Sequence, residues 1–172
     1  MQNNTGNPNF IIIPKASDKI YGFLCNDSKH GFTEKDGSTY IYWPTVTHYV
    51  EAKKFEGTQY EHTIRKAGTV TQVRILSRER EVRITTRDVS NCDSIDKCKI
   101  YGNRDTRIYI KPTWEAEMKH HLRTAITAKF KQNTSIYNLL IATSPLIIEG
   151  IGDINTMVAT ILMEFRENAL NS

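Results

Sequence analysis

Thr47, Glu51 and Lys54 are the side chains in this chain best placed, by type and spacing, to do chemistry. They lie in the stretch Trp43-Pro44-Thr45-Val46-Thr47-His48-Tyr49-Val50-Glu51-Ala52-Lys53-Lys54-Phe55, where Pro44 and Thr45 open a predicted helix. At 3.6 residues per turn, the spacing i, i+4 and i+7 puts the three within about 60° of arc. One helical face therefore offers a hydroxyl, a carboxylate and an amine. Beside it, His48, Ala52 and Phe55 form a less polar stripe suited to a core. A carboxylate can pass protons, and an amine can attack an electrophilic carbon if desolvation or a nearby positive charge lowers its pKa. Taken alone, Glu51 and Lys54 read as a surface i, i+3 ion pair worth roughly 0.2–0.5 kcal/mol.

The elements around this helix can be read from periodicity and punctuation. Residues 1–9 are rich in Asn and read as a disordered tail. Phe10-Ile11-Ile12-Ile13, bounded by Pro8 and Pro14, reads as a buried strand. Asp36-Gly37 is a favoured turn dipeptide, and Thr39-Tyr40-Ile41-Tyr42-Trp43 is β-branched and aromatic, so a hairpin delivers the chain into the helix. Thr58 is placed to cap a second helix reaching about Lys66. Thr69-Val70-Thr71-Gln72 forms a capping box for a third, ending near Leu76. In the longest predicted helix, about Trp114 to Lys131, Trp114, Met118, Leu122, Ala125, Ile126 and Phe130 follow helical spacing and belong to a core. Thr134 is placed to cap the next helix, and Ile154 to Ala169 closes the chain as an amphipathic one.

Residues 77–111 read as a basic β insertion. Val82 and Ile84 alternate with Arg83, Thr85 and Arg87, and Ile108 and Ile110 alternate with Arg107 and Tyr109. Period two means half-buried strands, here with a basic and aromatic outer face and a polar loop, 88–105, between them. The net charge is +4, and between Glu61 and Lys111 there are 12 Lys and Arg against 7 Asp and Glu, so this segment holds the whole excess. A face carrying Arg83, Arg87, Arg107 and Tyr109 could track the phosphate backbone of DNA or RNA. A solvated basic surface without a partner is the plainer reading of the charge, since the excess is small beside dedicated nucleic-acid binders.

Composition sets the remaining bounds. At 172 residues, with 39% hydrophobic and 24% charged residues, the chain suits one soluble globular domain, spanning residues 10–172. No apolar run approaches the roughly 20 residues that cross a bilayer, and no basic-then-apolar leader is present, so a cytoplasmic protein without a membrane partner is expected. Cys25, Cys92 and Cys98 read as free thiols, a Cys92–Cys98 disulfide being the other possibility. No metal and no cofactor are expected. His120 and His121 are adjacent and point to different helix sides, His30 and His62 read as exposed, and no phosphate-binding or dinucleotide-binding glycine loop is present.

The helix stretch resembles the signature W-P-T-x-E-H-Y-x-Q-A-x-K-F of the NADAR (YbiA-like) family, through Trp43, Pro44, Thr45, His48, Tyr49, Ala52, Lys54 and Phe55. It departs where Thr47 stands for the family Glu and Glu51 for the family Gln. Asp18, Tyr21, Gly22, Leu24 and Asn26 resemble a second signature, D-x-x-Y-G-x-L-S-N-F, with Cys25 in place of Ser and Asp27 in place of an aromatic. Gly57, Thr58, Tyr60, Ile64, Arg65 and Ala67 follow a third, and Ala128-Lys129-Phe130 with Gln132-Asn133 a fourth. Towards the C-terminus, Leu139-Leu140 with Thr143, Leu146-Ile147-Ile148-Glu149 and Leu162-Met163-Glu164-Phe165-Arg166 continue the likeness. A glycine-rich loop of the family is reduced here to Gly150-Ile151-Gly152-Asp153.

The resemblance implies a fold that is mainly α with short β-strands, a single α+β domain. It implies an N-glycosidase acting on a ribosylamine riboflavin precursor or on ADP-ribose attached to guanine. Lys54 would be the attacking amine, and Glu51, displaced from the family Glu by one turn, about 5–6 Å, the acid and base. Tyr21, Gly22, Asn26, Trp43, Thr47, His48 and Asp153 would hold an ADP-ribose or ribosyl-nucleotide substrate. The other reading is a catalytically degenerate relative that binds ADP-ribose or nucleic acid, or serves as a structural or interaction module.

Overall fold

Capped turns and β-branched runs divide the chain much as expected. The computed structural model describes residues 9–78, 81–84 and 106–172. In order it contains β1 (Phe10–Ile12), a 3-10 turn (Gly22–Leu24), β2 (Phe32–Asp36), β3 (Thr39–Trp43), α1 (Val46–Lys53), α2 (Gln59–Arg65), α3 (Val70–Ser77), β4 (Glu81–Ile84), β5 (Thr106–Tyr109), α4 (Trp114–Gln132), α5 (Thr134–Ala142), β6 (Ile147–Glu149) and α6 (Asp153–Leu170). Helices dominate and the strands pair only in twos. β1 runs parallel to β6, and β2–β3 and β4–β5 are antiparallel. No helix among the described residues is long and apolar enough to cross a membrane. The tail at 1–8, Arg87 and the whole 88–105 loop, with Cys92 and Cys98, lie outside the described residues.

Two of the expected helix caps form and two do not. Thr45 is extended and its Oγ1 accepts the backbone N–H of His48, and Thr69 with Gln72 makes the full reciprocal capping box. Thr58 does precede α2, but its hydroxyl donates backwards to the Phe55 carbonyl at 2.6 Å instead of capping. Thr134 is already inside α5. Asn133 precedes it, and its amide donates to the carbonyls of Gly31 and Lys129, tying the end of α4 to the loop before β2. The first strand is also less buried than its four apolar residues suggest. Ile11 and Ile13 face inwards, while Phe10 and Ile12 remain partly exposed on the two-stranded β1–β6 ribbon.

α4 is the central helix, packed against α1, α6, α5 and β2. Its predicted stripe is buried at Trp114, Leu122, Ala125, Ile126 and Phe130, with Met118 at the edge, and meets Ile161 and Leu162 of α6 in one core. Charged residues are buried with it, among them Arg166 of α6 and, most deeply, Lys129. Lys129 is 1% exposed, and its Nζ donates to the Phe23 carbonyl (2.7 Å), the Cys25 carbonyl (3.0 Å) and Ser28 Oγ (2.7 Å). All three donors are satisfied by one loop, so α4 grips residues 23–28. Gly22, just before it, is required by packing, since a Cβ there would lie 2.6 Å from the Ala16 carbonyl oxygen.

Lys53 makes a second hub. It reaches Glu34 of β2 (3.4 Å), Glu56 (3.1 Å) and Glu61 of α2 (3.1 Å), and lies against the rings of Trp43 and Tyr49. Glu34 in turn accepts from Trp43 Nε1 at 3.2 Å and from the Tyr49 hydroxyl at 3.1 Å. Burial pulls the Lys53 amine down, but Glu61 and Glu34 outweigh it and hold it above its ordinary value.

Two stability measurements follow from these buried amines. Replacing Lys53 with Met leaves three carboxylates short of a cation and is expected to cost about 3 kcal/mol in urea unfolding. Replacing Lys129 with Met strips three acceptors of their donor, an expected loss of about 1–3 kcal/mol at neutral pH. Burial lowers the Lys129 pKa to about 7, below the unfolded value of 10.5. Between those pH values the unfolded chain binds the extra proton, so wild-type stability should rise with pH from 7 towards 10. The Lys129→Met protein should lack that rise.

Candidate functional site

α1 presents Thr47, Glu51 and Lys54 together, as their spacing requires, and turns His48, Ala52 and Phe55 into the core. Lys54 lies just past the last helical residue in helical conformation, and its Nζ donates to Glu51 Oε2 at 2.6 Å. The pair is not a surface one, for the two side chains are 20% and 21% exposed. Trp114 covers the amine, with the ring centroid 5.9 Å from Nζ, and the Lys111 backbone N–H donates to the Lys54 carbonyl at 2.9 Å. The link from β5 to α4 thus closes one end of the face.

Its other end is closed by the loop that Lys129 grips. Thr47 is 8% exposed, its N–H donates to the Asn26 carbonyl at 3.2 Å, and its hydroxyl donates to Asp27 Oδ1 at 2.5 Å. Arg74 of α3 holds the same carboxylate, at 2.8 Å to Oδ1 and 2.7 Å to Oδ2. Asp27 and Arg74 were not among the expected site residues. A signal for Asp27 was nevertheless present, in the pair of departures from the signatures: Thr47 loses a carboxylate and Asp27 gains one, and the fold brings the two side chains into contact.

Asp27 also borders a cleft of about 560 Å³ whose lining includes Asp18, Lys19, Ile20, His30 and Leu139. The cleft wall is preorganised. Asp18 Oδ1 accepts the N–H groups of Ile20 (2.9 Å) and Tyr21 (2.7 Å), leaving Tyr21 half-buried against the core. Gly22 contributes backbone to the lining, and the absence of a side chain there serves the Ala16 contact. Asn26 Oδ1 and His30 Nδ1 are enclosed without a hydrogen-bond partner. Neither His30 nor His62 is exposed as expected: His30 is half-buried in the cleft wall, and His62 Nδ1 lies 2.7 Å from the Arg65 guanidinium.

Other expected site residues are placed elsewhere. Trp43 and His48 are 1% and 3% exposed, enclosed in the core. Trp43 donates to Glu34. His48 Nδ1 accepts from the Thr45 hydroxyl at 2.8 Å, so Nε2 carries the proton donated to the Ala67 carbonyl at 3.0 Å. Burial keeps this imidazole below its ordinary pKa, in the neutral form that the two bonds need. Asp153 is exposed at the start of α6, which packs chiefly on β6, α4 and α5. In the β4–β5 ribbon, Arg83 lies directly opposite Arg107 and Glu81 opposite Tyr109, so all four share one face. Ile108 on the other face is buried, and Tyr109 is exposed.

Among the described residues, one cluster has metal-ligand chemistry. Oxygen or nitrogen atoms of Glu56, Glu117 and His121 lie within 4.8 Å of one another. The Lys111 ammonium fills the position a cation would take, donating to Glu56 at 2.8 Å and to Glu117, and lying 3.2 Å from His121 Nε2. Its hydrogen bond is the main cause that holds the Glu117 carboxyl down to about 2.

Comparison with known proteins bears on the family and the fold. The chain is 26% identical over 110 residues to the N-glycosidase YbiA of Escherichia coli (strain K12), covering 64% of this chain and 51% of that protein. Proteins of the same name from Shigella flexneri serotype 5b (strain 8401) and Shigella boydii serotype 4 (strain Sb227) match with the same identity and coverage. The chain spans about half the length of the curated relatives it matches. The NMR structure of the E. coli protein YbiA shares the fold, with a TM-score of 0.66 and 23% identity over 95% of this chain and 86% of that one. The sequence profile of the NADAR domain matches residues 14–150, which hold the whole α1 face, Asp27 and the cleft, and the chain therefore belongs to the NADAR family.

Proposed function

We propose that this chain is an N-glycosidase that hydrolyses the bond between a ribose and a nitrogenous base, in a ribose or ADP-ribose conjugate. The observation that carries the reading is the half-buried Glu51–Lys54 pair, 2.6 Å apart on the helix that bears the family signature. The relatives named N-glycosidase YbiA support the reaction class.

The chemistry needs an amine without its proton and a proton for the departing base. Glu51 is hydrogen-bonded to the Lys54 ammonium and supplies both needs. It accepts the Lys54 proton, the freed amine attacks the anomeric carbon, the carbon–nitrogen bond to the base breaks, and Glu51 returns the proton to the leaving nitrogen. The sugar then opens to an imine on Lys54, and water hydrolyses it to free sugar and amine. Trp114 over the amine keeps bulk water from one side of this step. Thr47, which has no acid–base function near neutral pH, serves as an anchor for Asp27.

The ribbon supports a substrate attached to nucleic acid. Its register sets Arg83 opposite Arg107 and Glu81 opposite Tyr109, and a basic and aromatic face of this kind can take phosphates and a stacked base.

Release of base or ADP-ribose should be measured on ADP-ribosylated guanine in DNA and RNA oligonucleotides and on the ribosylamine precursor. Wild-type turnover is expected, with Glu51→Gln and Lys54→Ala each lowering kcat by about 100-fold or more. Full activity in either variant would sink the mechanism. Stoichiometric binding by the wild type without turnover would assign a binding module instead. In oligonucleotide binding, Arg83→Ala with Arg107→Ala should flatten the dependence of affinity on salt by about two phosphate contacts' worth of slope. An unchanged slope would remove nucleic acid as the ligand of this face.

A further inference from the structure

Lys111 bridges the end of α1 and the start of α4 with both its main chain and its side chain. Its N–H donates to the Lys54 carbonyl at 2.9 Å, and its carbonyl accepts from the Trp114 N–H at 3.0 Å. Its ammonium donates to Glu56 at 2.8 Å, and to Glu117 on the first turn of α4, and lies 3.2 Å from His121 Nε2. An ammonium has three donors, and these three partners can take them all. Burial alone would lower the Lys111 pKa, but Glu117 and Glu56 outweigh it and hold it above its ordinary value, so the bridge stays charged.

What this bridge holds in place is the surrounding of the Lys54 amine. Lys54 is the first residue beyond α1, where a carbonyl has no partner within the helix, and the Lys111 N–H supplies one. The Trp114 ring, whose centroid is 5.9 Å from Lys54 Nζ, is also stacked with the His121 ring at 5.8 Å and an interplanar angle of 18°. His121 is thus in contact with Lys111 at one nitrogen and with the ring over the amine at its face. Without the ammonium, carboxylate oxygens of Glu56 and Glu117 within 4.8 Å of each other would meet as like charges. Their repulsion would part the end of α1 from the first turn of α4 and displace the ring. An attacking amine tolerates little displacement, since about 1 Å can cost on the order of 100-fold in rate.

We infer that Lys111 is a positioning residue for the Lys54 amine: its ammonium clamps Glu56 to Glu117 and His121, and the clamp holds the Trp114 ring over Nζ. The inference rests on the glycosidase reading for the task of Lys54, and it goes beyond that reading by assigning a role to a lysine outside the reacting pair. Lys111 acts through Trp114 and the main chain of Lys54, while Glu51 and Lys54 exchange the proton. Arginine at this position would keep the charge between the two carboxylates, and methionine would fill the space without it.

Competitive labelling of the folded full chain with trace acetic anhydride, read lysine by lysine in a mass spectrometer, tests the clamp without turnover. Relative to the exposed Lys35, Lys54 should react about tenfold faster in Lys111→Met than in the wild type, while the buried Lys129 stays protected. Lys111→Arg should return Lys54 close to its wild-type rate. On an ADP-ribosylated guanine oligonucleotide, Lys111→Met should lower kcat about tenfold or more and leave KM within about twofold. Unchanged Lys54 labelling in Lys111→Met overturns the inference, and so does a parallel rise at Lys129, the mark of general loosening. A raised KM with kcat intact overturns it as well. If Lys111→Met does not fold, Glu117→Gln carries the test: it removes one carboxylate of the clamp at little cost in shape and should raise Lys54 labelling about threefold, and no rise overturns the inference. Selective unmasking of Lys54 in a chain whose wild type releases no base would uphold the clamp while removing the glycosidase.

Discussion

Burying the Lys129 ammonium creates the constraint on which the site depends. A charge inside a core is tolerated only if its donors are satisfied, and here all three go to oxygens of one short loop. The loop cannot move away from α4 without stranding those donors. Because the same loop bonds to Thr47 through Asn26 and Asp27, the central helix holds the cleft wall against the α1 face. The amine lies in the Ala128-Lys129-Phe130 stretch, far in sequence from both groups that it positions.

Charge is distributed around α1 in two different ways. On the structural side, Lys53 gathers Glu34, Glu56 and Glu61, and Lys111 gathers Glu56, Glu117 and His121. These are shared, multivalent networks that fix strands and helices to one another. On the side proposed for chemistry, Glu51 and Lys54 form an isolated pair, with a ring over the amine and partial access to solvent. A single pair can exchange a proton and reform. A network of four groups cannot do so without disturbing its neighbours, which is why adjacent lysines at 53 and 54 suit different tasks.

The departures from the family signature acquire a spatial meaning in this fold. Thr47 removes a carboxylate from the helix face, Glu51 supplies one a turn further on, and Asp27 supplies another from the opposite loop. The polar character of the junction between cleft and helix is preserved while its carboxylates occupy new positions. Arg74, exposed on α3, is recruited to hold one of them.

Much of the architecture was legible from local chemistry. Helical spacing placed Thr47, Glu51 and Lys54 on one face, the Thr69–Gln72 capping box started α3, and period two marked the strands that pair Arg83 with Arg107. These patterns depend on neighbours within a turn or a pleat, which the chain order itself supplies. Thr58 and Thr134 misled because capping is a competition. A hydroxyl that finds a better acceptor, or an Asn that is needed elsewhere, leaves the cap to other groups. The enclosure of Trp43 and His48 was not legible either, because burial is a property of the whole packed chain. The sequence by itself determined the helical face, its amine and its carboxylate. Only the tertiary structure decided that Asp27 and Arg74 complete that face, because residues 20 and 47 positions apart become neighbours only when Lys129, Thr47 and α3 draw one loop against three helices.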